Sequence, residues 1–294
     1  MPPLDICVPY WGDPATFIET IESVRAQEDP AWRLVIIDDG YPGTAIAEYV
    51  DDLADERILY TRNETNVGII ENFRRAVAAA EGSHVVVLGS DDLLLPNYVS
   101  HVRQTIAAFP DADVIQPGVR VIGSDGTPTR TLVDEVKQRL LTPKKPTTLV
   151  GEEMARSLLV GNWLYWPSLA IRTEPAKRIG FQDGLPIILD LALLIDIAFE
   201  GGTLRYTGVE SFCYRRHAES LSQTTLLDGS RFDDERRFYV ATAQRAQLAD
   251  WRRAARAARG RAMSRLHALS QLPGVLMRGS AASRRATWLL AFGR

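Results

Sequence analysis

Apolar residues in the first 122 positions follow two alternating patterns. Short unbroken runs (Ile6-Cys7-Val8, Leu34 to Ile37, Val85 to Leu88) are separated by stretches where apolar side chains recur every three or four residues, as Phe17, Ile21 and Val24 do. The runs predict buried strands, and the wider spacing predicts amphipathic helices. Tyr49-Val50 with Leu53 marks a further helix, Arg57 to Tyr60 a strand, and Phe73 to Ala80 an alanine-rich helix. A helix after Pro96 then leads to a strand over Asp113 to Val121. Such alternation predicts an α/β fold, with a largely parallel sheet covered by helices on both faces. Right-handed crossovers bring the C-terminal ends of the parallel strands to one edge.

Residues 123–150 mix Gly, Pro, Thr and Lys without periodicity and read as a long surface connection, a kind of segment that is usually functional. Mixed apolar segments return over 151–217 and end in Phe212-Cys213-Tyr214. From Phe232 to Arg259 the Ala/Arg/Gln content favours helix.

Composition narrows the class. With 294 residues, 46% of them hydrophobic, the chain can bury one substantial core and carry an appendage. A net charge of −3 gives neither a disorder signature nor the basic footprint of a nucleic-acid binder, so no nucleic-acid partner is expected. Cys7 and Cys213 fall in apolar runs and read as buried free thiols in a reducing compartment. The start Met1-Pro2-Pro3-Leu4-Asp5 lacks a basic region, its strand is expected to break at Pro9, and no apolar run approaches the ~20 residues of a membrane span. A cytoplasmic protein is expected, free or held at the inner face of a membrane.

Charge is unevenly spread. Residues 251–294 hold ten arginines and no Asp or Glu, which leaves −13 for residues 1–250. Trp251, Ala255, Ala258, Met263, Leu266 and Leu269 can gather on one side of a helix, and Trp288-Leu289-Leu290-Ala291-Phe292 supplies a second apolar cluster. Such a tail calls for an anionic counterpart, either the protein's own body or an anionic membrane surface.

Candidate chemistry sits where strands end. Gly89-Ser90-Asp91-Asp92 follows a buried run, and Ile36-Ile37-Asp38-Asp39-Gly40 repeats the arrangement. In open α/β sheets ligands bind outside the carboxyl ends of strands. Paired carboxylates there suit Mg²⁺ or Mn²⁺, which prefer oxygen ligands, although an Asp in such a loop also serves as a helix cap or turn residue. Asp39 suits hydrogen bonds from a base or ribose. Tyr10 and Trp11 could stack on a base, or simply pack. In Gly161 to Ser168, Trp163, Tyr165 and Trp166 are either core or an acceptor platform. No zinc spacing, GxGxxG or P-loop is present.

Val8-Pro9-Tyr10, Ile37-Asp38-Asp39-Gly40, Asn66-Val67-Gly68 and Gly89-Ser90-Asp91-Asp92, in this order, resemble the family-2 glycosyltransferases of the GT-A fold. Leu189-Asp190-Leu191 is similar to that family's acidic motif beside the acceptor, and Tyr214-Arg215-Arg216-His217 to Ser222 is similar to its YRxHxxSxS segment. The likeness spans roughly residues 4–222. It implies a GT-A (Rossmann-like), mostly parallel sheet over 1–225, with a nucleotide-sugar half (1–122) and an acceptor half (123–225). An Arg-rich helical extension would occupy 226–294.

The resemblance also implies roles. Asp39 would contact the base, with Pro9, Tyr10 and Trp11 around it and Asn66 and Gly68 in the neighbouring loop. Asp91 would face the donor ribose or sugar and join Asp92 at the metal. Asp92 would ligate Mn²⁺ or Mg²⁺, His217 would approach metal or diphosphate, and Arg215 or Arg216 would add positive charge. Asp190 would be the catalytic base. Two departures stand out: position 189 is Leu where the family usually has Glu, and Asp196 replaces a frequent arginine, which makes Asp196 either a reserve candidate or a solvated face residue.

The implied reaction is inverting, metal-dependent hexosyl transfer. The donor would be a UDP-, dTDP- or GDP-sugar, and the acceptor a glycan, a lipid-linked molecule or a small molecule of envelope-glycan, glycolipid or natural-product glycoside synthesis. Two other readings are a non-catalytic sugar-nucleotide-binding scaffold and a nucleotidyltransferase, although the loop after the first strand lacks the latter's Gly- and Lys/Arg-rich phosphate loop.

Overall fold

The computed structural model describes residues 1–216, 230–278 and 280–292. Nine strands among them form one sheet: β1 (Leu4–Tyr10), β2 (Trp32–Asp38), β3 (Ile58–Arg62), β4 (His84–Val87), β5 (Leu93–Leu94), β6 (Val114–Ile122), β7 (Thr147–Val150), β8 (Ala170–Arg172) and β9 (Thr203–Arg215). Their order is β3-β2-β1-β4-β8-β6-β9-β5, with β7 also on β9. β1 to β4 pair in parallel. β8 opposes both β4 and β6, so β6 and its parallel partner β9 run the same way as the first four strands. Six of the nine strands share one direction, as the alternating pattern predicts, while β5, β7 and β8 add four antiparallel pairings to the four parallel ones and make the sheet mixed.

Strand β1 does not break at Pro9. Pro9 pairs with Ile37 of β2, beyond the last β4 partner at Cys7, where a missing N–H interrupts no ladder on the β4 side.

Two cores flank the sheet. One face buries Ile6, Val8, Leu34 and Ile36 under α1 (Pro14–Arg25), α2 (Ala45–Leu53) and α4 (Tyr98–Ala108). Asp13 caps α1, its carboxylate accepting from the Thr16 N–H at 3.0 Å, and Pro14 opens the helix where no donor is missed. The other face buries Cys7, Val35, Val85 and Val114 under α3 (Ile69–Ala78), α6 (Gly151–Val160), α7 (Thr173–Ile179) and α8 (Leu189–Phe199). Apolar residues lie all round α8, which is therefore covered on both sides. Cys7 and Cys213 are free and buried.

Residues 123–150 are not a plain connection. They hold α5 (Leu132–Val136), a π turn (Lys137–Leu141) and β7, which extends the sheet by pairing with β9. Those contacts are made with residues 203–206, too far along the chain for local periodicity to register them.

The C-terminal stretch divides into α9 (Ser230–Leu248), α10 (Arg252–Gly260), α11 (Ala262–Arg278) and α12 (Ala281–Phe292). Left-handed residues at Asp250 and Arg261 separate the first three, so the single amphipathic helix expected between Trp251 and Leu272 is broken in two. Phe238, Tyr239, Ala243, Ala246, Ala254, Ala255 and Ala258 join the α8-side core, and Trp251 stacks on Phe199 at 4.6 Å. Among the described residues no helix is long and apolar enough to cross a membrane.

Candidate active site

The C-terminal ends of β1, β2 and β4 deliver three acidic or aromatic clusters to one edge. At the end of β1, alternation sends Tyr10 inward with Ile6 and Val8. Tyr10 stacks on Phe17 at 4.4 Å and donates its hydroxyl to the Gly12 carbonyl, so it packs rather than faces a ligand. Pro9 is half-buried. Trp11 is exposed and meets Tyr41 edge-on at 5.4 Å, which leaves part of its ring open at the rim.

At the end of β2, Asp38 accepts from the Tyr41 N–H at 2.8 Å and from the Tyr60 hydroxyl at 2.5 Å. Burial and that bond to Asp38 push the Tyr60 pKa up to about 12. Asp39 is buried too, and its oxygens accept from Val67 N–H (2.8 Å), Gly68 N–H (3.0 Å) and the Asn63 amide (2.9 Å). Its carboxylate thus anchors the 63–68 loop. Asn66 is exposed and accepts from the Gly68 N–H, and Gly68 takes φ +84°, where a side chain would be strained, to open α3.

At the end of β4 the two carboxylates converge. A Cβ built on Gly89 would stand 2.6 Å from Asp92 Oδ2 and 3.0 Å from Asp91 Oδ1, so both side chains curl around the space that a glycine leaves open. Asp92 is fully enclosed, and its Oδ1 accepts the Arg215 backbone N–H at 2.8 Å. Burial first, and the Asp91 charge second, raise its pKa well above the ordinary carboxylate range. Two oxygen donors whose mutual repulsion a cation would relieve fit a divalent ion. Among the described residues no group of three or more His, Cys, Asp and Glu is gathered as a metal cluster. His217 lies outside the described residues.

Arg215 and Arg216 do different work. Arg215 is buried: its guanidinium donates to the Asp91 carbonyl at 2.7 Å, the Ser124 carbonyl at 3.0 Å and Glu19 at 2.5 Å. It holds the Asp91-Asp92 turn in place, and its donors point at protein. Arg216 forms a two-pronged pair with Asp134 at 2.6 and 3.1 Å. Asp134 also accepts from the Tyr165 hydroxyl at 3.0 Å and the Thr131 hydroxyl at 2.5 Å. Burial would raise its pKa, but the bonds from Arg216 and Thr131 outweigh burial and hold it low.

Asp190 opens α8, and α8 leads into β9, which is parallel to β4; the start of α8 therefore lies at the same sheet edge as Asp91 and Asp92. Asp190 keeps some surface open, yet desolvation by the atoms around it raises its pKa against the pull of the Leu191 N–H, Lys137 and Asn162. Lys137 also donates to the Leu164 carbonyl at 3.2 Å and lies over the Tyr165 ring at 4.8 Å. The reserve candidate Asp196 instead accepts from Gln182 and pairs with Arg245 of α9, clamping the C-terminal helices.

Trp163 and Tyr165 are core residues, nearly fully buried. Trp166 is half-buried between Phe73 and Phe181, with its indole N–H unpartnered. Asp134, Lys137, Asn162 and Glu19 escaped the motif reading. Only Asp134 had a local signal, Thr131-Leu132-Val133-Asp134, a capping pattern that opens α5.

Comparison with known proteins places the chain. The model of the family described as Glycosyl transferase family 2 matches residues 5–159. The chain is 33% identical over 129 residues (43% of this chain) to the uncharacterized protein y4gI of Sinorhizobium fredii, covering 14% of that protein. It is 29% identical over 110 residues (36% of this chain) to the putative colanic acid biosynthesis glycosyl transferase WcaA of Escherichia coli K12, covering 39% of it. The chain thus spans less than half the length of these curated relatives. In fold, it is similar to S. aureus TarS 1-349 in complex with UDP-GlcNAc, with a TM-score of 0.74 at 15% identity over 98% of this chain and 79% of that one.

Proposed function

The chain belongs to glycosyl transferase family 2, and from that premise we propose that it transfers a hexosyl unit from a nucleoside-diphosphate sugar to an acceptor hydroxyl with inversion. The observation that carries this reading is the convergence of Asp91 and Asp92 around Gly89, at the sheet edge where α8 presents Asp190. TarS has a UDP-GlcNAc complex and WcaA is named as a putative colanic acid biosynthesis glycosyl transferase, which supports a nucleotide-sugar donor and a glycan acceptor here.

Asp91 and Asp92 would hold Mn²⁺ or Mg²⁺, which when bound supplies positive charge to the leaving diphosphate. Arg215 keeps their turn rigid from beneath. Asp39 fixes the 63–68 loop beside the base pocket, with Pro9 and Trp11 at its rim. His217, if it follows the family pattern, adds to the diphosphate side.

Asp190 takes the proton from the acceptor hydroxyl as that oxygen bonds to the anomeric carbon. The bond from that carbon to the diphosphate oxygen breaks, and the nucleoside diphosphate departs with the electron pair. One base and one displacement invert the centre. The raised pKa of Asp190 strengthens it as a base once ionised.

The test is transfer measured beside nucleotide binding. Asp190→Asn should bind UDP or dTDP as wild type does while turnover falls by ~10²-fold or more. Retained turnover, or loss in Asp196→Asn instead, would move the base elsewhere. Turnover of the donor by wild type but not by Asp92→Asn would separate an enzyme from a binding scaffold.

A further inference from the structure

The basic C-terminal segment has two parts. Up to Arg261 it is spent on the protein itself: Ala254, Ala255 and Ala258 are buried, Trp251 lies on Phe199, and Glu152 accepts the Arg253 and Ala254 N–H groups at the start of α10. Beyond Arg261, α11 and α12 form a hairpin with a small core of Ala268, Leu290 and Ala291. Much of its apolar surface faces outward, with Leu266, Leu269, Met277, Trp288 and Phe292 between 41% and 74% exposed. Trp288 and Phe292 lie 5.9 Å apart, and Arg284 and Arg285 stand one turn before Trp288 on the same face. Neither arginine forms an ion pair among the described residues, and the segment contains no Asp or Glu.

We propose that the hairpin 262–292 docks on an anionic lipid surface. Exposed Trp288 and Phe292 one turn from Arg284 and Arg285 is the chemistry of an interfacial helix: the rings enter the headgroup boundary and the guanidinium groups meet lipid phosphates. A second copy of this chain would bring the same positive face, so self-association through it sets cation against cation. The root of the hairpin lies beside the acceptor side, since a Cβ on Gly161 would meet Met263 Cγ at 2.6 Å and the next residue, Asn162, contacts Asp190. Docking there would hold the Asp190 edge close to acceptors presented at a membrane. The docking itself rests on the hairpin alone and stands whether or not the chain transfers sugar.

The experiment is co-sedimentation of the full chain with vesicles of phosphatidylcholine, with and without phosphatidylglycerol, at low and high salt. Two double variants, Arg284→Glu/Arg285→Glu and Trp288→Ser/Phe292→Ser, change exposed positions, and an unchanged melting temperature confirms their fold. The wild type should pellet only with the anionic vesicles. Binding should fall on the order of tenfold or more in high salt and in each variant, while UDP binding stays unchanged. Equal pelleting on both vesicle types, wild-type pelleting by both variants, or no pelleting overturns the proposal. So does a lipid-free oligomer, seen by sedimentation velocity, that both variants abolish.

Discussion

Gly89→Ala changes one hydrogen to a methyl at the point where the two carboxylates meet. Gly89 is not among the residues with positive φ, so alanine can adopt its backbone and the effect is one of space. The added carbon would stand 2.6 Å from Asp92 Oδ2, about 0.8 Å inside an ordinary contact of 3.4 Å, and slightly inside contact with Asp91 Oδ1 at 3.0 Å. Asp92 cannot swing freely away, because its other oxygen holds the Arg215 N–H at 2.8 Å inside a closed environment. Metal ligands tolerate errors of about 0.2 Å, and a displacement near 1 Å can cost ~10²-fold in rate. The expected outcome is a loss of transfer of about that size and a weaker response to Mn²⁺, with overpacking lowering stability by about 1–3 kcal/mol. Initial rates against Mn²⁺ concentration, alongside urea unfolding, read both effects. Gly260→Ala, where nothing lies within 4 Å, is the control: transfer and Mn²⁺ response should stay as in wild type, and stability should hold or rise by up to about 1 kcal/mol because the site is helical. Wild-type rates and Mn²⁺ response in Gly89→Ala would refute the view that these two oxygens act as a pair.

Three further outcomes follow from the same geometry. The rate of transfer should fall on acidification at a pH above the ordinary carboxylate range, because a proton on Asp190 removes the base; a pH–rate profile with no such limb would exclude Asp190. Asp134→Ala should cost about 2–4 kcal/mol in urea unfolding, less than a fully buried pair because Arg216 keeps solvent contact. The depressed Asp134 pKa means that its stabilisation is complete above the unfolded value and fades as pH falls through the folded one, so the gap between wild type and variant should narrow in acid. Trp251→Ala removes the stack on Phe199 and should lose about 2–3 kcal/mol while leaving UDP binding intact, with a stability change under 0.5 kcal/mol arguing against a docked α10.

The strands and the sheet edge were legible because buried parallel strands leave continuous apolar runs, and the residue after each run necessarily emerges at that edge. Tyr10 was legible in part: of stacking on a base and packing, counting by two from Ile6 and Val8 selects packing, because it places the ring inward. The contacts of Asp39 were not legible, since its donors Asn63, Val67 and Gly68 come from 24 to 29 residues away. The same holds for Arg215, whose three acceptors span residues 19 to 124 and turn an expected ligand contact into a brace. In the tail, helix-forming composition concealed two breaks: left-handed Asp250 has no glycine beside it, whereas Gly260 next to left-handed Arg261 was a local mark of the second.

Asp91 and Asp92 would join a metal to a nucleotide. Calorimetry of UDP, dTDP and GDP, each with and without Mn²⁺, on wild type and Asp92→Asn tests it most directly. At least one nucleotide should bind wild type on the order of tenfold or more tightly with Mn²⁺, and Asp92→Asn should erase the difference. Equal affinity with and without Mn²⁺ in the wild type, or undiminished linkage in Asp92→Asn, would contradict it.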